Sequence, residues 1–304
     1  MSDRSPLRAW LELLRAPNLL TVPGDPLAGF LLASKAGASA DLTRAIPCAA
    51  AAVLLYAGGL ISNDVFDLEE DRRDRPHRPL PSGRISKRAA TAATAALFAL
   101  GIGAAAISGA VPAMIAGVIT ALVVVYCAGA KRVPVLGPLV MGLCRGASLM
   151  LGASALGVEA MRLPVPILAA GGLTLYVAAV TAVAAREMSG SSPGWKALAP
   201  CVVMLVWLPF ISHLGPGAAT PPFAVIAQGL GLMTALFIGT RGIDIQRQSD
   251  PRLIARGIGT FIRALLPAQA SLAVAGAVPG VYVAAALLVL WPVSAIVGRR
   301  FYSS

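Results

Sequence analysis

Charge is scarce in this chain. Only 13% of its 304 residues are Asp, Glu, Lys or Arg, against about a quarter in an ordinary soluble domain. Aromatic residues make up 6% and histidine occurs twice, while 57% of the chain is apolar and mean hydropathy is +0.77. Such scarcity of charge excludes a water-soluble globular domain and an intrinsically disordered chain. Cysteine is sparse too: Cys48, Cys127, Cys144 and Cys201 each sit inside an apolar stretch, with no paired spacing. That excludes a secreted disulfide scaffold and reads as small buried hydrophobes. Acids are rarest, 14 against 25 basic residues, for a formal net charge of +11. Yet Asp64, Asp67, Glu69, Glu70, Asp71 and Asp74 crowd one short segment. In a lipid-soluble chain that concentration requires a reason.

The apolar remainder divides into runs of the length a helix needs to cross the hydrocarbon core, about 20 residues. Candidate runs cover about 17–36, 43–66, 87–109, 110–130, 136–157, 164–186, 195–214, 221–240, 253–275 and 278–298. The run at 253–275 is the weakest, because Arg256 and Arg263 interrupt it. All are rich in Ala, Gly, Leu and Val, small residues that let membrane helices approach closely. No alternating ten-residue segments of a membrane barrel are visible. The expectation is an all-α polytopic membrane protein of nine or ten spans, a single domain over 1–304. The polar, basic start lacks the features of a cleavable signal peptide.

Lys and Arg set the orientation. With a cytoplasmic N-terminus, one set of loops carries Arg72, Arg73, Arg75, Arg78, Arg84, Lys87, Arg88, Lys131, Arg132, Arg186, Lys196, Arg241, Arg247 and Arg252. The opposite loops hold only Lys35, Arg44 and Arg162, and the Arg299–Arg300 pair favours an even number of spans. The expected location is the inner membrane of a bacterium. Most of the positive charge is therefore loop bias, and the rest suits a small anion rather than nucleic acid.

At 100° per residue, Asn63, Asp64, Asp67, Glu70, Asp71 and Asp74 share an arc of roughly 120° at the end of the second run. Carboxylates converging on one face repel each other and need neutralising. Hard oxygen ligands suit Mg²⁺, which bridges carboxylates to phosphate oxygens. Pro76, Pro79 and Pro81 then stop the helix beside an Arg-rich loop. Carboxylates for a metal next to arginines for an anion are what a diphosphate site needs. A solvated helix end paired to those arginines is the bland alternative, disfavoured because Asn63, Asp64 and Asp67 follow an unbroken apolar run.

Asn63-Asp64-x-x-Asp67-x-x-x-Asp71, followed by Arg78-Pro79-x-Pro81-Ser82-Gly83, resembles the UbiA superfamily of intramembrane prenyltransferases. Arg15-Ala16-Pro17-Asn18 at the first run and Tyr126 ahead of Lys131-Arg132 agree. Within it, LYAGGLISNDVFD, VLGPLVMGLCRGASLMLG and YVAAVTAVAAREMSG resemble the EboC-like branch. The resemblance implies a UbiA-type bundle around a central cavity opening to the cytoplasm. It implies transfer of a prenyl group from an isoprenyl diphosphate to a small-molecule or lipid acceptor. By the same resemblance Asp64, Asp67 and Asp71, with Asn63, would hold Mg²⁺. Arg78, Lys131 and Arg132 would neutralise phosphate charge, and Tyr126 would hydrogen-bond the bridging oxygen.

The superfamily's second acid motif is degenerate here. Residues 184–192 read AAREMSGSS, with Glu187 as the sole acid, and Arg186 is the candidate replacement for metal charge. Arg145 lies about 13 Å into its run, where an unpaired guanidinium costs about 2.5 kcal/mol or more. Its candidate partners are a diphosphate, an acid of the cluster, or a structural pair within the bundle. Asp25, among Pro23, Gly24 and Pro26, suggests a cavity-lining kink, and with Asn18 it is the candidate acceptor contact. Two other classes compete: a transporter with an acidic mouth, and a non-catalytic prenyl-lipid-binding or scaffold protein of the same fold.

Overall fold

The apolar runs become helices, and no strand forms among the described residues. The computed structural model describes residues 6–34, 40–188 and 192–301. Amphipathic α1 (Pro6–Leu13) leads into the short helices α2 (Ala16–Leu19) and α3 (Gly24–Ala33). Helix α4 (Ile46–Phe66) is interrupted at Asp67 and resumes as α5 (Leu68–Asp74). Next come α6 (Lys87–Ile107), α7 (Ala110–Ala128), α8 (Leu136–Ser154), the single turn α9 (Val158–Met161) and α10 (Pro164–Met188). The chain ends with α11 (Ala199–Leu214), α12 (Pro221–Ile245), the nearly continuous α13 (Pro251–Arg263) and α14 (Leu265–Ala275), and α15 (Gly280–Phe301).

Among the described residues, nine helical segments are long and apolar enough to cross a bilayer. The run at 253–275, read as the weakest, is one of them. In Pro251–Ala275, 83% of the most apolar window is buried, so it packs against protein and needs no greasy lipid face. The run at 17–36 is the one that fails. Pro17, Pro23 and Pro26 remove the amide donors of a continuous helix and leave two pieces.

Those pieces still traverse the bundle. At one end Arg15, just before α2, reaches Asp64 at the end of α4. At the other end, beyond α3, Arg44 contacts the Ala155 carbonyl, and Ser108 donates to the Arg44 carbonyl. The last helix, α15, packs against α2 and α3.

Small residues let α3 sit at the centre. A Cβ at Gly152 of α8 would lie 1.8 Å from the Pro26 carbonyl oxygen, and one at Gly29 would lie 1.9 Å from that of Leu149. Helix α8 meets α10 in the same way, Gly142 lying against the Thr174 carbonyl. Large apolar side chains such as Ile107, Met114 and Val118 on α6 and α7 point outward, as a lipid-facing surface requires. This is a multi-pass membrane protein.

Candidate functional site

The interruption at Asp67 turns the end of α4 into α5 and splits the predicted acidic face. Asp64 and Asp71 are buried and Asp67 is half-buried, whereas Glu70 and Asp74 are exposed. The arc expected for all of them is thus corrected: on α5 Asp71 faces inward, while Glu70 and Asp74 stand on its solvent side. Each retained carboxylate faces a cation from a different segment. Asp64 pairs with Arg15 at 3.3 Å, Asp71 with Arg78 at 2.8 Å, and Asp67 with Lys131. Asn63 joins the last pair, its Oδ1 accepting from Lys131 at 3.1 Å and its Nδ2 donating to Asp67 at 3.1 Å. Asp64 also lies within electrostatic reach of Arg78 and Asp71, and Asp64, Asp67 and Lys131 all lie within such reach of Cys127, which places the three pairs in one neighbourhood.

The cations are held as firmly as the acids. Arg15 has φ 44° and ψ 55°, a left-handed conformation that costs a side-chain-bearing residue about 1–2 kcal/mol. The turn between α1 and α2 accepts that strain and aims the guanidinium at Asp64. Arg78 lies in the loop after α5, which α1 covers through Leu13 packed near Leu68, Leu80 and Ile85. Arg84 of that loop pairs with Glu12 of α1 at 2.8 Å. Lys131 is fixed by a short 3-10 turn after α7. Beside it Arg132 is exposed and takes part in no ion pair among the described residues. Tyr126 is half-buried near the end of α7, within electrostatic reach of Arg15 and Asp67. No three His, Cys, Asp or Glu side chains among the described residues are gathered to hold an ion; each acid is turned toward its own cation.

Arg145 belongs to a separate cluster. Its Nε lies 2.8 Å from Asp25, its Nη2 donates to the Thr21 carbonyl at 2.9 Å, and its guanidinium sits 5.9 Å from the Tyr56 ring centre. Gln269 of α14 donates to the same carbonyl and to Asp25. The break between α2 and α3 strands the Thr21 carbonyl without a helical donor, and two side chains supply what the helix cannot. Of the partners considered for Arg145, the structure selects the pair within the bundle. Asp25, expected to touch an acceptor, is 0% exposed and spent on Arg145 and Gln269. Asn18 is buried in α2, and its carbonyl accepts from the Thr21 hydroxyl.

The UbiA prenyltransferase family profile matches residues 26–256. The chain belongs to the UbiA prenyltransferase family. Among curated relatives, digeranylgeranylglyceryl phosphate synthase from Methanoculleus marisnigri is 34% identical over 153 residues, 50% of this chain and 53% of that protein. The enzyme of that name from Saccharolobus solfataricus is 32% identical over 172 residues, 56% and 60% of the two chains. The chain thus spans little more than half the length of the curated relatives it matches. A UbiA homologue from Archaeoglobus fulgidus bound to GPP and Mg²⁺ superposes with TM-score 0.63 at 18% identity, over 94% of this chain and 99% of that one. A solved digeranylgeranylglyceryl phosphate synthase superposes with TM-score 0.59 at 18% identity, over 89% and 98%.

The family profile includes all three acid–cation pairs except Arg15, while Thr21, Asp25 and Gln269 fall outside it. At the position of a second UbiA acid motif, Arg186 and Glu187 close α10; their side chains lie outside the described residues. The sequence marks Arg15 through its motif and its place in the basic N-terminus, and gives no such sign for Glu12, Thr21 or Tyr56. Gln269 carried a signal, as a lone amide in an otherwise apolar stretch. Asp244 forms an exposed pair with Arg241 at 3.2 Å, and Asp250 caps α13 by accepting from the Arg252 amide.

Proposed function

We propose that this chain is an integral-membrane prenyltransferase whose donor is an isoprenyl diphosphate, with the diphosphate head at the Asp64–Asp67–Asp71 mouth. The observation that carries the reading is three carboxylates and three cations drawn from four segments to one end of a family bundle. The donor types suit Mg²⁺: hard carboxylate oxygens and the Asn63 amide oxygen on either side of the α4–α5 junction, each now turned to a cation it would have to release. When bound, Mg²⁺ supplies positive charge that weakens the bond between the prenyl carbon and the departing diphosphate.

The chain's own residues would do the rest. Lys131, Arg78 and Arg132 balance the phosphate charge that develops as the bond breaks. The Tyr126 hydroxyl is suited to donate to the bridging oxygen. Apolar helix faces keep water from the allylic cation until the acceptor captures it. The curated relatives' names make a glyceryl phosphate lipid the first acceptor to supply. Loop charge argues for a cytoplasmic mouth and N-terminus. The bacterial inner membrane and the EboC-like branch belong to this proposal, although the relatives named above are archaeal.

The test is release of diphosphate from geranyl diphosphate by the purified chain, with and without Mg²⁺ and lipid extract. Asp64→Ala with Asp67→Ala is expected to abolish the Mg²⁺-dependent release. Undiminished release from that double variant overturns the mechanism.

A further inference from the structure

The three ion pairs at the mouth raise a problem of charge. Asp64, Asp67 and Asp71 are matched one to one by Arg15, Lys131 and Arg78, so the cluster is neutral as it stands. Its acids are also poorly solvated, with side-chain exposures of 8%, 19% and 7% in that order. A divalent cation arriving alone must displace Arg15, Lys131 or Arg78 from a carboxylate. It leaves that cation with no counter-charge in a site where water screens weakly. A diphosphate arriving alone brings about three negative charges to cations already engaged with carboxylates. Either ligand alone therefore breaks ion pairs without replacing them.

Arriving together, they exchange partners. The metal takes the carboxylates, the displaced cations take the phosphate oxygens, and Arg132, beside Lys131 and in no ion pair among the described residues, adds one more positive charge. Every ion pair that breaks is replaced by another, and the cluster returns close to neutrality. We propose that the Arg15, Lys131 and Arg78 pairs make divalent metal and diphosphate bind cooperatively, each poorly without the other. The three cations act as internal place-holders, occupying the carboxylates until an anion draws them away. Lys131 is the pivot, because it bonds both Asp67 and Asn63, two oxygens a metal would need. This inference rests on the mouth being a metal–diphosphate site, and it adds that the two ligands enter as one event. The product side follows: diphosphate that leaves takes its metal along, and the cations close back on the acids.

Calorimetric titration of the full chain in lipid nanodiscs tests this, using Mg²⁺ alone, inorganic pyrophosphate alone, and Mg²⁺ with pyrophosphate present. A protein-free titration corrects for complex formation in solution. Mg²⁺ is expected to bind roughly tenfold or more tightly with pyrophosphate than without it, and pyrophosphate to gain the same factor from Mg²⁺. Lys131→Met is expected to strengthen binding of Mg²⁺ alone while weakening pyrophosphate, and Asp67→Asn to do the reverse. A melting curve checks the fold of each variant. If Lys131→Met does not fold, Arg78→Met, in the loop, serves the same purpose. Equal Mg²⁺ affinity with and without pyrophosphate overturns the coupling and leaves the prenyltransferase reading intact. So does a folded cation variant that binds Mg²⁺ alone no better than the unmodified chain. Failure to bind the two ligands in any combination overturns that reading and the coupling with it.

Discussion

Asp25 and Arg145 show how a single charge in lipid is tolerated. Both are buried and each is the other's ion-pair partner; Gln269 donates to Asp25 and Arg145 to the Thr21 carbonyl, while Arg145 Nε and Asp25 Oδ2 make no hydrogen bond beyond their ion pair. Removing one partner from a buried pair costs about 3–5 kcal/mol, because the survivor stays charged and alone. Arg145→Met is therefore expected to lower the melting temperature sharply in detergent. Adding Asp25→Asn to it is expected to recover most of the loss. An Arg145→Met chain that melts like the unmodified one would remove the pair from the structural account. Arg15 poses the opposite case, a residue strained in its backbone for the sake of its side chain. Arg15→Gly relieves the left-handed conformation and deletes the Asp64 partner. The expected outcome is weaker pyrophosphate binding by calorimetry, with the relieved backbone offsetting part of the stability lost when buried Asp64 loses its partner. Sequence made both charges conspicuous as isolated exceptions in apolar runs. It did not tell which would meet, since contacts between distant segments are fixed only by packing.

At the scale of elements, α8 is where the bundle is tightest. Gly142, Gly146 and Gly152 let neighbouring backbones touch it, and at Gly152 the neighbour is the Pro26 carbonyl, which cannot rotate aside. Gly152→Leu is expected to push α3 off α8. It should cost at least the roughly 1–3 kcal/mol of an overpacked core, read as loss of monodisperse protein in size-exclusion chromatography. Gly171→Ala on α10, where an added Cβ meets nothing within 4 Å, is the tolerated control. Helix periodicity made the acidic face readable for Asn63, Asp64, Asp67 and Asp71. It failed for Glu70 and Asp74, because an arc of roughly 120° is wide enough to include residues at its rim and at the helix end that solvent reaches, and angle alone does not say which acids packing covers. The short pieces α2 and α3 were legible as a kink from their prolines, but not as a segment too interrupted to count as a long helix.

For the whole molecule, lipid made the sequence easy to read: apolar runs must be long enough to cross, and among the described residues nine of them are. Sidedness can be checked directly. With a membrane-impermeant thiol reagent, Lys87→Cys and Trp195→Cys are expected to react from one face of the membrane. Thr43→Cys and Glu159→Cys should react from the other, all four positions being exposed. Native cysteines contribute little, since Cys48 and Cys127 are buried and Cys144 and Cys201 half-buried. Mixed labelling would overturn the arrangement of the segments. The arrangement also bears on how the protein is made. Gln269, which secures the broken first segment, leaves the ribosome long after Thr21 and Asp25 have entered the membrane. Until α8 brings Arg145, the first segment must wait in lipid with an unsatisfied carbonyl and an unpaired acid, and Gln269 completes its anchoring only with the penultimate segment. The nascent chain is therefore most vulnerable to proteolytic quality control before Arg145 enters the membrane.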